Sequence, residues 1–330
     1  MSRIAILGAG AWGTALAVTL ARSGREVTLA IRRRERLEAI RAAAENAAYL
    51  PGVAIPPNLA LTDNWRAAAN GAATLVMAIP SRMARDAFAP VVSAIAPQAT
   101  IVSVTKGLEP ETLMTMTRMI AELAPPASRV AALSGPGFAA EVARGKPAAL
   151  VAAAADPQVA RRVQELFATP TLRVYRSADV TGVEMGGVIK NVIAIAAGIS
   201  DGLDLGSSAR AALITRGLAE MTRLVVAAGG RAETMAGLAG LGDLVLTCTG
   251  ALSRNRALGL RLAAGAPWSE TGNDGQIAEG AVNARAVRAL AARYNVETPI
   301  VAAVHRVLYE AAPATAMVEE LLSRELKAEF

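Results

Sequence analysis

The chain has 330 residues, of which 53% are apolar, 19% charged and 3% aromatic, with a net charge of +6, one cysteine and one histidine. This composition is that of a globular protein rather than a disordered one, and the length predicts two domains. A single cysteine, Cys248, excludes an intrachain disulfide, while a lone histidine, His305, excludes a histidine-rich metal site and weakens any Ser-His-Asp arrangement, so no metal is expected.

The basic charge would suit nucleic acid, but stacking aromatics are scarce and no basic block is longer than the one at Ile31-Arg32-Arg33-Arg34. Small anionic ligands such as phosphates are the expected partners. The chain enters "RIAILGAG" at once, which predicts no cleavable signal peptide. Lys190-Asn191 interrupts the best candidate for a membrane span, so no membrane insertion and a cytoplasmic location are expected.

In chain order, short β-branched runs at 3–7, 26–31, 74–79, 100–105, 129–133, 148–153 and 172–177 alternate with helical stretches. Continuous apolar strands separated by helices predict a parallel sheet covered on both faces. From Val180 onward the pattern is helical, at 181–198, 207–228, 254–264, 276–293, 299–311 and 313–327. The expected architecture is α/β: a doubly wound dinucleotide-binding domain over 1–180, then an all-α substrate and catalytic domain over 181–330.

The first strand runs into "GAGAWGTALA", where Gly8, Gly10 and Gly13 form a G-x-G-x-x-G pattern between strand and helix, with Gly24 ending that helix. Gly8 permits the tight turn, Gly10 lets a pyrophosphate approach the backbone, and Gly13 lets the helix pack on the strand. The helix N-terminus, with Ala11 and Trp12 in its first turn, supplies N–H groups to phosphates. This is the fingerprint of a Rossmann-type domain. An NAD site would usually offer an acidic residue after the second strand, but this chain offers Arg32, Arg33 and Arg34. Guanidinium forks suit a 2′-phosphate, so NADPH is expected in preference to NADH.

Further on, "VTKGLE" puts Lys106 just past a strand, and "SGPGFAAE" puts Gly135 and Gly137 between strand and helix. "GVEMGGVIKNVIAIAAG" raises a question, because Lys190 stands among Gly186, Gly187, Ile193 and Ala194, none of which neutralises an ammonium. Each helical glycine costs about 1 kcal/mol against alanine, a cost that makes sense if something approaches the backbone closely. Lys190 is either a surface lysine with its stem on apolar neighbours or a desolvated proton carrier. "AGLGDLVLTCTG" carries Asp243 in a glycine-rich turn, and "SRNR" opens a helix with Ser253 as N-cap and Arg254 and Asn255 in an anion-binding first turn. With a nucleotide fold, these elements point to a phosphorylated carbonyl substrate.

The stretches "GAGAWGTALA", "TKGLE", "SGPGFAAE", "GVEMGGVIKNVIAIAAGISDGL", "ALITRGLAEM", "GLAGLGDLVLTCTGALSRNR" and "AEG" resemble, in order and spacing, the bacterial NAD(P)-dependent glycerol-3-phosphate dehydrogenases. These belong to the wider group of 6-phosphogluconate dehydrogenase-like proteins. The resemblance implies reduction of dihydroxyacetone phosphate to sn-glycerol 3-phosphate, feeding phospholipid synthesis. It implies Lys190 as proton carrier, Lys106 in contact with cofactor and substrate, Gly135 and Gly137 in the substrate loop, and Ala139 as a cofactor contact. It further implies Asp243, Ser253, Arg254 and Asn255 in the substrate pocket, Arg254 also near the cofactor, and Ile277 and Glu279 as late cofactor contacts. Two positions depart from the pattern: Trp12 stands where Tyr or Phe is commoner, and Gly137 where Ser or Thr is usual.

In the expected mechanism the helix starting near Thr181 crosses the domain interface, and hydride passes to the carbonyl carbon. Lys190 gives the oxygen its proton, Lys106 polarises the carbonyl, and Arg254, Asn255 and their helix N-terminus hold the phosphate. Desolvation lowers a lysine pKa and a nearby Asp243 raises it, so the residues alone leave the net value open. Two other readings stay open at this level: a β-hydroxyacid dehydrogenase of the same architecture, and a non-catalytic NADPH-binding redox sensor. A homodimer is compatible with the apolar helical half.

Overall fold

A computed structural model of the chain describes residues 3–268, 278–326, 328 and 329. The chain divides into two compact units, Met1–Glu184 and Met185–Phe330.

In the first unit, eight strands form one sheet: β1 (Ile4–Leu7), β2 (Val27–Ala30), β3 (Leu59–Thr62), β4 (Thr74–Met77), β5 (Thr100–Ser103), β6 (Arg129–Ser134), β7 (Ala148–Ala153) and β8 (Leu172–Ser177), in the spatial order β3-β2-β1-β4-β5-β6-β7-β8. The helices between them are α1 (Ala11–Arg22), α2 (Arg34–Ala43), α3 (Trp65–Ala69), α4 (Ala84–Phe88), α5 (Met116–Leu123), α6 (Ala139–Ala143) and α7 (Pro157–Phe167). Alternate strand residues build two cores, as the two-residue side-chain period requires. Ile4, Ile6 and Leu29 pack with Leu16, Val163 and Phe167 on one face. Ala5, Leu7 and Met77 pack with Phe88, Met119 and Ile120 on the other. Burying a side chain the size of Phe88 or Phe167 contributes about 1.5–3 kcal/mol, so both faces are held firmly.

The structure departs from the sequence reading in three strands. β3 was absent from it: four residues at the sheet edge, following Pro56-Pro57-Asn58, leave too short a pattern to read. The sheet is also not wholly parallel, since β7 pairs antiparallel to β6 and β8 runs with β7. Between β6 and β7 lies only the five-residue α6. At 1.5 Å per residue it covers about 8 Å, against about 20 Å for a six-residue strand. The chain therefore re-enters the sheet in the reverse sense.

Among the described residues of the second unit there are helices and no strand. They are α8 (Val180–Gly202, beginning in the first unit), α9 (Gly206–Ala227), α10 (Ala232–Ala236), α11 (Asp243–Thr249), α12 (Arg254–Ala263), α13 (Glu279–Arg293), α14 (Pro299–Tyr309) and α15 (Ala314–Leu322), with a π turn at Leu238–Gly242 leading into α11. The sequence reading discounts α8 as a span because of Lys190-Asn191. By length and composition α8 does qualify, at 23 residues and a mean hydropathy of 1.4, and its apolar window is wholly buried in the fold.

Its glycines answer the question their cost raised. A methyl group on Gly186 would stand 2.5 Å from the carbonyl oxygen of Ala239, and one on Gly198 would meet the carbonyl oxygen of Arg256. Backbones touch α8 at both places.

Candidate active-site residues

In the first unit the turn after β1 takes the shape a dinucleotide needs. Gly8 has φ +110, and a Cβ there would strike the carbonyl of Ala78. Its N–H donates to Ala30 O at 3.0 Å, so the ends of β2 and β4 flank the turn. Gly13 packs on the carbonyl of Gly8. Gly10 is the N-cap of α1 and a Cβ on it would meet nothing within 4 Å. No side chain caps α1 and its first turn has no acidic residue, so Ala11 and Trp12 open a helix end ready for an anion. Asn46 was not singled out from the sequence. Buried beneath this turn, it donates its amide to Ala9 O at 3.0 Å and to Thr14 Oγ1 at 2.8 Å. Nothing in "AENAAYL" signals that role.

Past β2, Arg32 and Arg33 are both exposed, while Arg34 pairs with Glu38 at 3.1 Å on α2. Lys106, past β5, donates to the carbonyl oxygen of Gly135 at 2.9 Å, which joins the "TKG" and "SGPG" loops. Gly135 has φ +126. The Lys106 loop is held from below by Glu109, also missed from the sequence. Its carboxylate takes two bonds from Arg85, at 2.6 and 3.0 Å, and another from Thr112. The Arg85 guanidinium holds the Glu109 carboxyl below the usual carboxylate range. Trp12 lies over Gly137: a Cβ there would sit 3.2 Å from Trp12 Cη2. The indole fills the room that a Ser or Thr at 137 would use. Ala139 starts α6 and packs against the first core.

In the second unit Lys190 is only 6% exposed, so it is not a surface lysine. Its ammonium is 3.0 Å from Asp243 Oδ1 and donates to Thr247 Oγ1 at 2.6 Å. The Thr247 hydroxyl in turn donates to the carbonyl oxygen of Asp243 at 2.6 Å. Contact of the π turn with Gly186 brings Asp243 to this position. Thr247 was missed, although its place four residues after Asp243 on a helix puts both on one face.

Ser253 caps α12, its hydroxyl accepting from Arg256 N at 3.2 Å, as the sequence predicts. Arg254 is exposed in the first turn. Asn255 is buried and committed at both ends: its amide donates to Asn191 Oδ1 at 2.8 Å and its carbonyl accepts from Gly280 N at 2.9 Å. Asn191 thus links the residue after Lys190 to the "SRNR" turn. Glu279 is the first residue of α13, and Ile277 lies outside the described residues.

Three leftovers are structural. Burial pushes the Cys248 thiol up to about 12, where it is unreactive near neutrality. His305 lies 2.6 Å from Arg288 and 3.2 Å from Glu310, and burial lowers its pKa. Glu220, fully buried on α9, accepts from Ile300 N and Val301 N at 2.9 and 3.0 Å and so caps α14. No group of three or more metal-ligating side chains occurs among the described residues.

Comparison with known proteins agrees across the whole chain. Residues 3–160 match the family model for the NAD-dependent glycerol-3-phosphate dehydrogenase N-terminus and residues 179–319 that for its C-terminus. A glycerol-3-phosphate dehydrogenase [NAD(P)+] of Geobacter sulfurreducens is 50% identical over 330 residues, covering 99% of this chain and 98% of its own. That of Thiobacillus denitrificans is 49% identical over 331 residues, covering 99% and 100%. The crystal structure of glycerol-3-phosphate dehydrogenase from Coxiella burnetii superimposes with a TM-score of 0.94 at 41% identity, over 98% of this chain and 99% of that one.

Proposed function

The chain belongs to the NAD-dependent glycerol-3-phosphate dehydrogenase family, and from that premise we propose that it reduces dihydroxyacetone phosphate to sn-glycerol 3-phosphate, with NADPH preferred over NADH. By that reaction it would work in the cytoplasm as a supplier of the glycerophospholipid backbone.

The residues present fit a dinucleotide: Gly10 leaves open space at an uncapped helix N-terminus, and Arg32 is exposed past β2. When bound, the reduced nicotinamide supplies the hydride. Lys190 supplies the proton to the carbonyl oxygen from Nζ and takes it back in the reverse reaction. Asp243 and Thr247 fix the direction of that ammonium. Arg254 and the N-terminus of α12 bind the phosphate, orienting the ketone through interactions remote from the reacting carbon. Asn255, tied to Asn191 and Gly280, orders that turn. Lys106 lends positive charge to the carbonyl, and its bond to Gly135 keeps it in place meanwhile.

The observation that carries this reading is the buried Lys190–Asp243 pair at 3.0 Å on an otherwise apolar helix. Replacing Lys190 by Ala should lower kcat by about 10²- to 10⁴-fold, the usual contribution of a general acid, with NADPH affinity kept within about twofold. Undiminished turnover would remove Lys190 from the chemistry. Comparing kcat/KM for NADPH and NADH tests the coenzyme preference, and a higher value with NADH would refute it.

A further inference from the structure

The sequence places Arg32 and Arg33 side by side as candidates for one phosphate. The fold sends them to different places. Arg32 lines a cavity of about 680 Å³ together with Arg66, Arg82, Trp65, Asp63 and Asp86. Arg33 lines a separate cavity of about 580 Å³ with Arg36 and Asn46.

The larger cavity is lined by residues that follow the carboxyl ends of β2, β3 and β4, with β1 lying between β2 and β4 in the sheet. Arg32 follows β2 by two residues, Asp63 directly follows β3, and Arg82 lies five residues past β4. This is the rim on which open α/β sheets bind ligands. The glycine turn belongs to the same rim, since Gly8 bonds Ala30 at the end of β2 and packs on Ala78 just past β4. A dinucleotide held by its pyrophosphate at the N-terminus of α1 would have the side chains of this rim within reach of its adenosine end.

The cavity's side chains differ in kind. Among the described residues, the side chains of Arg32, Arg66 and Arg82 form no salt bridge and no hydrogen bond, so three guanidinium groups line one cavity. Two carboxylates, Asp63 and Asp86, also line the wall. They repel a phosphate and suit the exocyclic amine of adenine, and the Trp65 ring offers an aromatic face to the base. A 2′-phosphate carries close to two negative charges at neutral pH and is best held by more than one guanidinium fork.

We propose that Arg66 and Arg82, which line this cavity with Arg32, join it as ligands of the 2′-phosphate of NADPH and as determinants of coenzyme choice. The proposal rests on the NADPH reading above and deepens it. It gives the smaller role to Arg33.

The test titrates the whole protein with 2′,5′-ADP and with 5′-AMP, two probes that differ by the 2′-phosphate alone. Arg66→Ala and Arg82→Ala are compared with Arg33→Ala and with Arg161→Ala, which removes an exposed charge on α7. The expected result is that wild type binds 2′,5′-ADP more tightly than 5′-AMP. Arg66→Ala and Arg82→Ala should each weaken 2′,5′-ADP by about tenfold or more, the worth of one hydrogen bond to a charged group, with 5′-AMP unaffected. Arg33→Ala should cost less than either, and Arg161→Ala nothing measurable. If wild type selects 2′,5′-ADP and both variants keep that selectivity, or if Arg33→Ala costs more than either, the proposal is overturned and the NADPH reading stands. If wild type does not discriminate between the probes, the NADPH reading fails and the proposal with it. Melting temperatures within about 2 °C of wild type, expected for changes at exposed side chains, show that the variants are folded.

Discussion

At the scale of single residues, Trp12 and Gly137 meet: a Cβ on 137 would stand 3.2 Å from the indole. A side chain at 137 would press on the indole at that distance, and the ring at 12 would have to yield to admit it. Gly137→Ser alone should destabilise the protein and raise KM, whereas adding Trp12→Phe should relieve the strain. The double-mutant cycle, read from denaturant melts, should show coupling of about 0.5–2 kcal/mol; simple additivity would mean that the two positions are independent. Residue chemistry was partly legible in the sequence. The glycine turn and the Ser253 cap are local patterns with fixed spacing, and both have the expected geometry. The burial of Lys190 stood only as an alternative there, because exposure depends on what packs against a helix. Asn46 and Glu109 were invisible because each acts on a loop that only the tertiary fold brings near.

Elements show where backbones must touch. At Gly186, α8 meets the turn that leads to Asp243, and an added methyl would lie 2.5 Å from a backbone oxygen that has no flexible end to move. Gly186→Ala should therefore cost about 1–3 kcal/mol, as overpacking does, despite the better helix propensity of alanine. Because the displaced turn carries Asp243, kcat should fall as well. A variant with higher melting temperature and full activity would show the turn to be free to yield. Hydropathy and spacing located seven of the eight strands, but not their order in the sheet. Nor did they give direction: an apolar run reads the same whichever way it enters the sheet, and only the shortness of α6 decides that β7 turns round.

For the whole molecule, the buried carboxylates and His305 contribute to the response to pH. Burial raises the Glu220 pKa to about 7, above its ordinary 4.5, even though two backbone N–H groups oppose the shift. The folded state thus holds a proton that the unfolded chain has released between these values. The stabilisation this gives is fully present below pH 4.5 and is lost as pH rises through about 7. In residues 1–184, Glu184 is also raised by burial, whereas Glu109 is lowered by Arg85 and stabilises above its ordinary pKa, so the two act in opposite senses. Glu220 should therefore lower the melting temperature as pH rises from 5 to 7, against an opposite contribution from His305, whose lowered pKa adds stability over the same range, and Glu220→Gln should remove the Glu220 part of that slope. Calorimetry across this range checks the sign; a slope unchanged in Glu220→Gln would assign the effect elsewhere.

The sole thiol, Cys248, is sealed inside the second unit. The natural sequence is in effect a blank background for maleimide chemistry. One new cysteine in each half, for instance Arg161→Cys and Arg261→Cys at exposed positions, would accept a donor and an acceptor dye with no native thiol to remove. Energy transfer between them could then follow, molecule by molecule, whether the halves draw together when coenzyme and triose phosphate arrive.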